Sequence, residues 1–133
     1  MQLLGFVVGL SLTVGAAPTL PPPSHPGAWH KAGAAVNSAR PGQALHFHRT
    51  LLNPTAIGIV ARSSSARPIK VFWFSYCEFA SDDDITEQHQ GTSRGVGTVT
   101  VYPPVFDGAT RCDVSVNVTP PANAKAAAAV FAD

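Results

Sequence analysis

Five of the eight carboxylates of the chain lie within ten residues, between Glu78 and Glu87. Ca²⁺ binds about six to eight oxygen atoms, mostly from carboxylates and backbone carbonyls of flexible loops. Asp82, Asp84 and Glu87, together with nearby carbonyls, could supply several of these ligands. The spacing departs from the EF-hand pattern, because no glycine stands at its sixth position. The cluster therefore indicates either a calcium site or a solvated acidic loop.

Two histidines, His46 and His48, stand two residues apart. That spacing places both imidazoles on one face of a strand, and imidazole is a common ligand of Zn²⁺ and Cu²⁺. Such a site needs at least a third ligand, which His89 provides only if the acidic segment folds over the same face. The pair indicates a transition-metal site or two solvent-facing histidines.

The chain has two cysteines, Cys77 and Cys112, and each lies in an apolar run typical of a strand. In an exported chain two cysteines most simply form one disulfide. A cross-link closing a loop of this length contributes about 3.8 kcal/mol in the chain-entropy treatment. The alternative is two buried free thiols.

Aromatic residues alternate along one segment, as Phe72, Phe74 and Tyr76. Alternation with a period of two places them in one row on one face of a strand. An exposed row of this kind binds sugar rings or a partner protein, because large exposed apolar patches mark interaction sites. The alternative is ordinary core packing.

One modification motif is present, since Asn117-Val118-Thr119 matches the N-glycosylation sequon. The alternation of its segment predicts that Asn117 points outward. Neither a phosphate-binding loop nor a dinucleotide fingerprint occurs in the sequence. We therefore assign no catalytic residue and expect no cofactor apart from the calcium considered above.

Apolar alternation with a period of two predicts strands along most of the chain after residue 43. The segment 81–95 is polar and is predicted to be a loop, whereas the alanine-rich segment 125–131 fits a short helix or a final strand equally well. The segment 69–79 is apolar on both faces, so it is predicted to be a central strand covered on both sides. The predicted strands are 44–51, 55–62, 69–79, 96–102 and 111–118.

Five or six short strands separated by proline, glycine and serine turns predict a small antiparallel β-sandwich. Its disulfide would join either the two sheets or two adjacent strands. The arrangement is Ig-like in general architecture only: an immunoglobulin domain carries its tryptophan on the strand after the first cysteine, whereas Trp73 precedes Cys77 on the same strand.

The N-terminal part of the chain divides into two segments. Residues 1–16 are apolar and end in small residues, which predicts a signal peptide, with an uncleaved membrane anchor as the alternative. Residues 17–43 are rich in proline, glycine and alanine and are predicted to form an extended tether. The β-sandwich domain is predicted to span residues 44–133.

Charge patterning narrows the classes of partner. Charged residues make up 13% of the chain and the net charge is +1, and the arginines are scattered rather than gathered in the basic patch that nucleic-acid binding requires. Contact with a membrane is expected only through an uncleaved N-terminal segment.

These patterns predict a secreted or cell-surface, non-enzymatic β-sandwich module with a binding or structural role. Its partner outside the cytoplasm would be a protein or a carbohydrate. The alternative is a small exported metal-dependent hydrolase that uses His46, His48 and the acidic loop 82–87.

Overall fold

A computed structural model describes residues 19–80 and 85–133, and these residues form strands and no helix. The predicted signal peptide lies outside the described residues. Nine strands are present in the described ranges: β1 (His30–Lys31), β2 (Val36–Asn37), β3 (Leu45–Leu52), β4 (Ile57–Ser63), β5 (Ile69–Phe79), β6 (Thr86–Gly95), β7 (Thr98–Val101), β8 (Ala109–Thr119) and β9 (Ala126–Ala132).

The strands form two antiparallel sheets. The first sheet has the order β1, β9, β4, β7, and β2 pairs with β9 beside β1. The second sheet has the order β3, β8, β5, β6. The prediction of an all-β, sandwich-like fold is thereby confirmed.

One apolar core fills the space between the two sheets. It draws alternate residues from both, such as Ile57 and Ile59 of β4 opposite Val114 and Val116 of β8, all of them fully buried. Full burial of a valine or isoleucine side chain contributes roughly 1.5–3 kcal/mol. Burial of these alternating rows therefore fixes the register of the strands, because a slip by one residue would move each row to the opposite face.

The alternation predicted for β3 is confirmed, since Leu45, Phe47 and Leu51 are buried and the residues between them are not. β5 is an inner strand, as predicted, and lies between β8 and β6. The expectation that its second face is also covered is not met within the described chain, because its outward aromatic residues are only half-buried. No second layer among the described residues covers that face of the second sheet.

The segment after the acidic cluster and the alanine-rich C-terminal segment both form strands. The prediction of a loop at 81–95 is wrong for most of its length, because Thr86–Gly95 forms β6 and pairs with β5. Its polar side chains are compatible with a strand because β6 lies at the edge of the sheet. Of the two conformations considered for the alanine-rich tail, the strand is the one observed, as β9.

The described part of the predicted tether, residues 19–43, contributes β1 and β2 to the first sheet. Leu20, Trp29 and Ala35 pack on the outer face of that sheet, where they cover a second and smaller apolar cluster. The members of that cluster in the first sheet are Val60, Ala129 and Phe131.

This N-terminal cover explains the composition of the strands beneath it. β9 is buried on both faces, so it has small alanines on each side instead of an alternating pattern. Gly58 of β4 also lies under the cover, where a Cβ atom would come within 2.8 Å of Cγ of Pro23. The close approach of Pro23 to the sheet therefore requires glycine at position 58.

The disulfide between Cys77 and Cys112 is present, as predicted. The two residues are directly paired across β5 and β8, with their Cα atoms 4.1 Å apart. The bond therefore joins adjacent strands within one sheet, whereas the immunoglobulin disulfide joins the two sheets.

Candidate functional site

The outer face of the second sheet carries the half-buried row of Phe72, Phe74 and Tyr76, here called the aromatic stripe. The stripe runs along β5 in the middle of the sheet, so polar side chains from β8 and β6 flank it on both sides. The register places Phe72 between Asn117 and Thr92, Phe74 between Ser115 and Gln90, and Tyr76 between Asp113 and Gln88.

His46 and His48 lie on the same outer face, on the edge strand β3. Nδ1 of His46 is hydrogen-bonded to Oδ1 of Asn117, and Nε2 of His48 lies 3.6 Å from Oδ1 of Asp113. Thr50 donates a hydrogen bond of 2.7 Å to the same carboxylate oxygen. Both histidines therefore contact polar side chains of β8, the strand next to the aromatic stripe.

Asn117, the residue of the glycosylation motif, is half-buried on β8 and faces outward as its alternation predicts. It lies between His46 and Phe72 in the cross-strand register. A glycan attached at this asparagine would therefore stand on the face that carries the aromatic stripe.

Asp82 and Asp84, the first two predicted calcium ligands, lie outside the described residues. Glu87, the third, is on β6 opposite Cys77, and therefore faces the interior side of the sheet. Its Oε2 atom lies 3.4 Å from Nε2 of His89. His89 thus associates with Glu87 rather than with the two histidines of β3.

Of the alternative hydrolase site, the structure describes His46, His48 and Glu87, and it does not bring these three residues together. β3 and β6 are the two opposite edges of the second sheet, three strand spacings or roughly 14 Å apart. His46 and His48 also face the side opposite to Glu87. Within residues 19–80 and 85–133, no group of three histidine, cysteine, aspartate or glutamate residues could hold a metal ion.

One motif that sequence reasoning missed is a Gly-x-Ser-x-Gly pattern at Gly91, Ser93 and Gly95. In hydrolases with this motif the serine sits on a sharp turn between a strand and a helix, which exposes its hydroxyl. Here the whole motif lies inside the regular strand β6, and Ser93 pairs with Val71. Gly91 instead admits the ring of Trp73, which a Cβ atom would approach within 2.9 Å.

Ser75 of β5 is a second residue whose environment the sequence did not reveal. It is fully buried, and its Oγ atom has no hydrogen-bond partner among the described residues. It is paired with His89 and Val114 on the interior side of the sheet. An unpaired buried hydroxyl costs roughly 1–3 kcal/mol in desolvation.

Replacing this hydroxyl gives a direct test of that cost. We expect Ser75→Ala to leave the free energy of unfolding unchanged or to raise it by about 1 kcal/mol, because no hydrogen bond is lost. Ser38→Ala is the matched control, since buried Ser38 donates to the carbonyl of Gln43 and accepts from the amide of Ala126. Urea unfolding should show a lower free energy of unfolding for Ser38→Ala alone. An equal decrease in both variants would contradict the absence of a hydrogen-bond partner for Ser75.

A cleft of about 460 Å³ adjoins the stripe at its Tyr76 end. The cleft lies at the neighbouring ends of β5, β6 and β8, and both polar and apolar side chains line it. Its lining residues are Tyr76, Glu78, Phe79, Ala80, Thr86 and Thr110.

Comparison of the chain with protein-family models, with curated proteins and with solved structures gives no match. Among the described residues, no helix is present that is long and apolar enough to cross a membrane.

Proposed function

We propose that the chain is an exported, non-enzymatic β-sandwich module, Ig-like in general architecture only, that binds a carbohydrate outside the cytoplasm through the aromatic stripe. The observation that carries the proposal is one row of half-exposed aromatic rings flanked on both sides by hydrogen-bonding side chains. The apolar N-terminal segment and the disulfide support export, because disulfides persist in oxidising compartments.

Sugars present two kinds of surface, and this face has a complement to each. The C–H groups of a pyranose ring pack on the flat face of an aromatic ring, which carries partial negative charge. The hydroxyls need donors and acceptors, which the flanking amides and hydroxyls supply. Because residues two apart on a strand are about 6.7 Å apart, the stripe extends about 13 Å and suits a short oligosaccharide better than a single ring.

The distribution of charge favours a neutral ligand. Lys70 and Arg94 lie at one end of the face and Glu78 at the other, so the middle of the stripe has few charges. Asp113 is the exception, and the guanidinium of Arg111, 3.5 Å from its Oδ1 atom, offsets its charge. A phosphorylated or strongly anionic ligand would instead call for a cluster of arginines or lysines.

Removal of the central ring tests the proposal. We expect Phe74→Ala to weaken binding of a neutral oligosaccharide at least about tenfold, corresponding to ~1.4 kcal/mol, because the stripe loses its middle stacking surface. The probes are neutral oligosaccharides on a glycan array, followed by calorimetric titration of the best binder.

Phe106→Ala is the matched control, because Phe106 is 52% exposed and does not belong to β5. It should leave the affinity unchanged. The proposal fails if no neutral oligosaccharide binds to the wild-type chain, or if one binds equally well to the Phe74→Ala variant.

A further inference from the structure

Three of the four sheet edges formed by the described residues are protected against pairing with another chain. β7 has four residues, and β1 and β2 have two each, so these edges are too short to template a long partner. On β3 the inward-pointing Arg49 donates a hydrogen bond of 2.8 Å to the carbonyl of Ala34. Short strands and inward charges are the devices by which proteins prevent edge association.

The fourth edge, β6, has ten residues, and its one inward-pointing acidic residue, Glu87, stands next to its end rather than in its middle. It pairs with β5 at all ten positions from Thr86 to Gly95 without a register shift. It contains no proline and no lysine, and its charged residues, Glu87 and Arg94, stand near its ends. No described residue pairs with its other side, where alternate backbone amides and carbonyls are left free.

We infer that β6 is a dimerisation edge, on which a second copy of this chain adds its own β6 in antiparallel register around a two-fold axis at Gln90. Closed two-fold dimers are the commonest homo-oligomers, and they need a surface that is complementary to itself. An antiparallel pair of identical edge strands meets this condition for the backbone of any strand.

The side chains of β6 are self-complementary in that register. On the outer face Gln90 lies opposite the other Gln90, and two further pairs follow on each side, Gln88 with Thr92 and Thr86 with Arg94. No like charges oppose each other, a juxtaposition that would destabilise the pair. On the interior side Glu87 meets Ser93 and His89 meets Gly91.

An extended peptide from a different protein fits this edge less well. Domains that capture a strand obtain specificity from pockets for alternate side chains of the peptide. The clefts found beside β6 among the described residues lie at its ends, where Thr86 and Arg94 line them. A flat edge without pockets along its middle suits a partner whose register is set by its own sequence.

Pairing through β6 would join the second sheet of one copy to the second sheet of the other, giving one continuous eight-stranded sheet. Both aromatic stripes would lie on the same face, separated by three strand spacings or about 14 Å. The dimer does not depend on the carbohydrate proposal, since neither stripe contributes to the pairing of β6.

The test is sedimentation equilibrium of the full exported chain, without ligand, from about 1 µM to about 100 µM. We expect a monomer–dimer equilibrium in the wild type. Gln90→Lys and Gln90→Glu each place two like charges at the axis and should raise the dissociation constant at least about tenfold. An equimolar mixture of the two variants should restore the dimer, because opposite charges then face each other.

Leu52→Lys is the control, because Leu52 is 73% exposed on the other edge strand of this sheet and the variant carries the same added charge. It should leave the equilibrium unchanged, and circular dichroism should show all variants folded. A wild type that stays monomeric overturns the inference, whatever its behaviour toward carbohydrates. A dimer that is insensitive to both variants, or that the mixture does not restore, also overturns it.

Discussion

Reduction of the Cys77–Cys112 bond is expected to lower the free energy of unfolding by about 3.8 kcal/mol. The bond closes a loop with a sequence separation of 35, so its loss returns a large amount of conformational freedom to the unfolded chain. Small domains have a total stability of roughly 5–15 kcal/mol. Reduction should therefore move the urea midpoint far toward lower concentration and bring the chain close to unfolding at body temperature.

The position of the bond within one sheet affects how the folded state responds. β5 and β8 are also held by backbone pairing from Lys70 to Phe79, so the reduced chain should keep its fold when it is stable at all. The loss of stability then arises in the unfolded ensemble, which expands and gains conformational entropy when the cross-link is removed. We accordingly expect the denaturant dependence of the unfolding free energy to become steeper on reduction, since more surface is exposed.

The measurement is urea unfolding of the oxidised and the reduced chain, followed by tryptophan fluorescence. The double variant Cys77→Ala, Cys112→Ala is the control, because added reductant should not change its stability. It should be less stable than the reduced wild type by about 1 kcal/mol for each buried sulfur removed. A difference below about 1 kcal/mol between oxidised and reduced wild type would contradict the expected role of the bond.

Strands with one buried face were predictable from the sequence, because burial on one side imposes an alternation that local reading detects. β3 and β8 are of this kind, with Leu45 and Phe47 on one and Val114 and Val116 on the other. The disulfide followed from the same alternation together with the number of cysteines. Its placement between adjacent strands did not follow, because strand order is set by tertiary packing.

Strands without such an alternation were not predictable. β6 is polar on both faces because it lies at an edge, and β9 is alanine on both faces because it is covered twice. β1 and β2 have two residues each, so they owe their conformation to β9 rather than to any local pattern. In all these cases the cause lies in residues that are distant in the sequence.

The candidate site was predictable in part for the same reason. Alternation placed Phe72, Phe74 and Tyr76 in one row, and it placed His46 and His48 on one face. Whether the row was covered depended on which sheet the N-terminal segment packs against, and that segment covers the first sheet. The polar flank provided by Gln88 and Gln90 was missed, because a loop was predicted where β6 forms.

Removal of the N-terminal cover should have the second large effect. A chain that begins at Ser38 loses β1 and β2 together with Leu20 and Trp29. We expect its free energy of unfolding to be lower by at least about 3 kcal/mol than that of a chain beginning at Thr19, because burial of one large apolar side chain alone contributes roughly 1.5–3 kcal/mol. Urea unfolding of the two chains measures the difference.

A point variant separates packing from chain length. The Trp29 ring packs on the cluster that includes Val60 and Phe131, and its Nε1 atom donates a hydrogen bond of 2.8 Å to the carbonyl of His25. Since Trp29 is only partly buried, Trp29→Ala should cost about 2 kcal/mol, less than the roughly 3–5 kcal/mol of a fully buried aromatic. Phe106→Ala, at an exposed site, should cost less than about 0.5 kcal/mol.

The outcome distinguishes an integral layer from a spacer. A flexible tether makes no contacts, so its deletion would change the stability of the domain by less than about 0.5 kcal/mol and would leave no new apolar surface. An integral layer, once deleted, leaves Phe131 and Val60 exposed and frees the edge of β9 for pairing with other chains. The shortened chain should therefore bind a hydrophobic dye and aggregate at concentrations at which the longer chain does not, and the absence of both effects would show that residues 19–37 act as a tether.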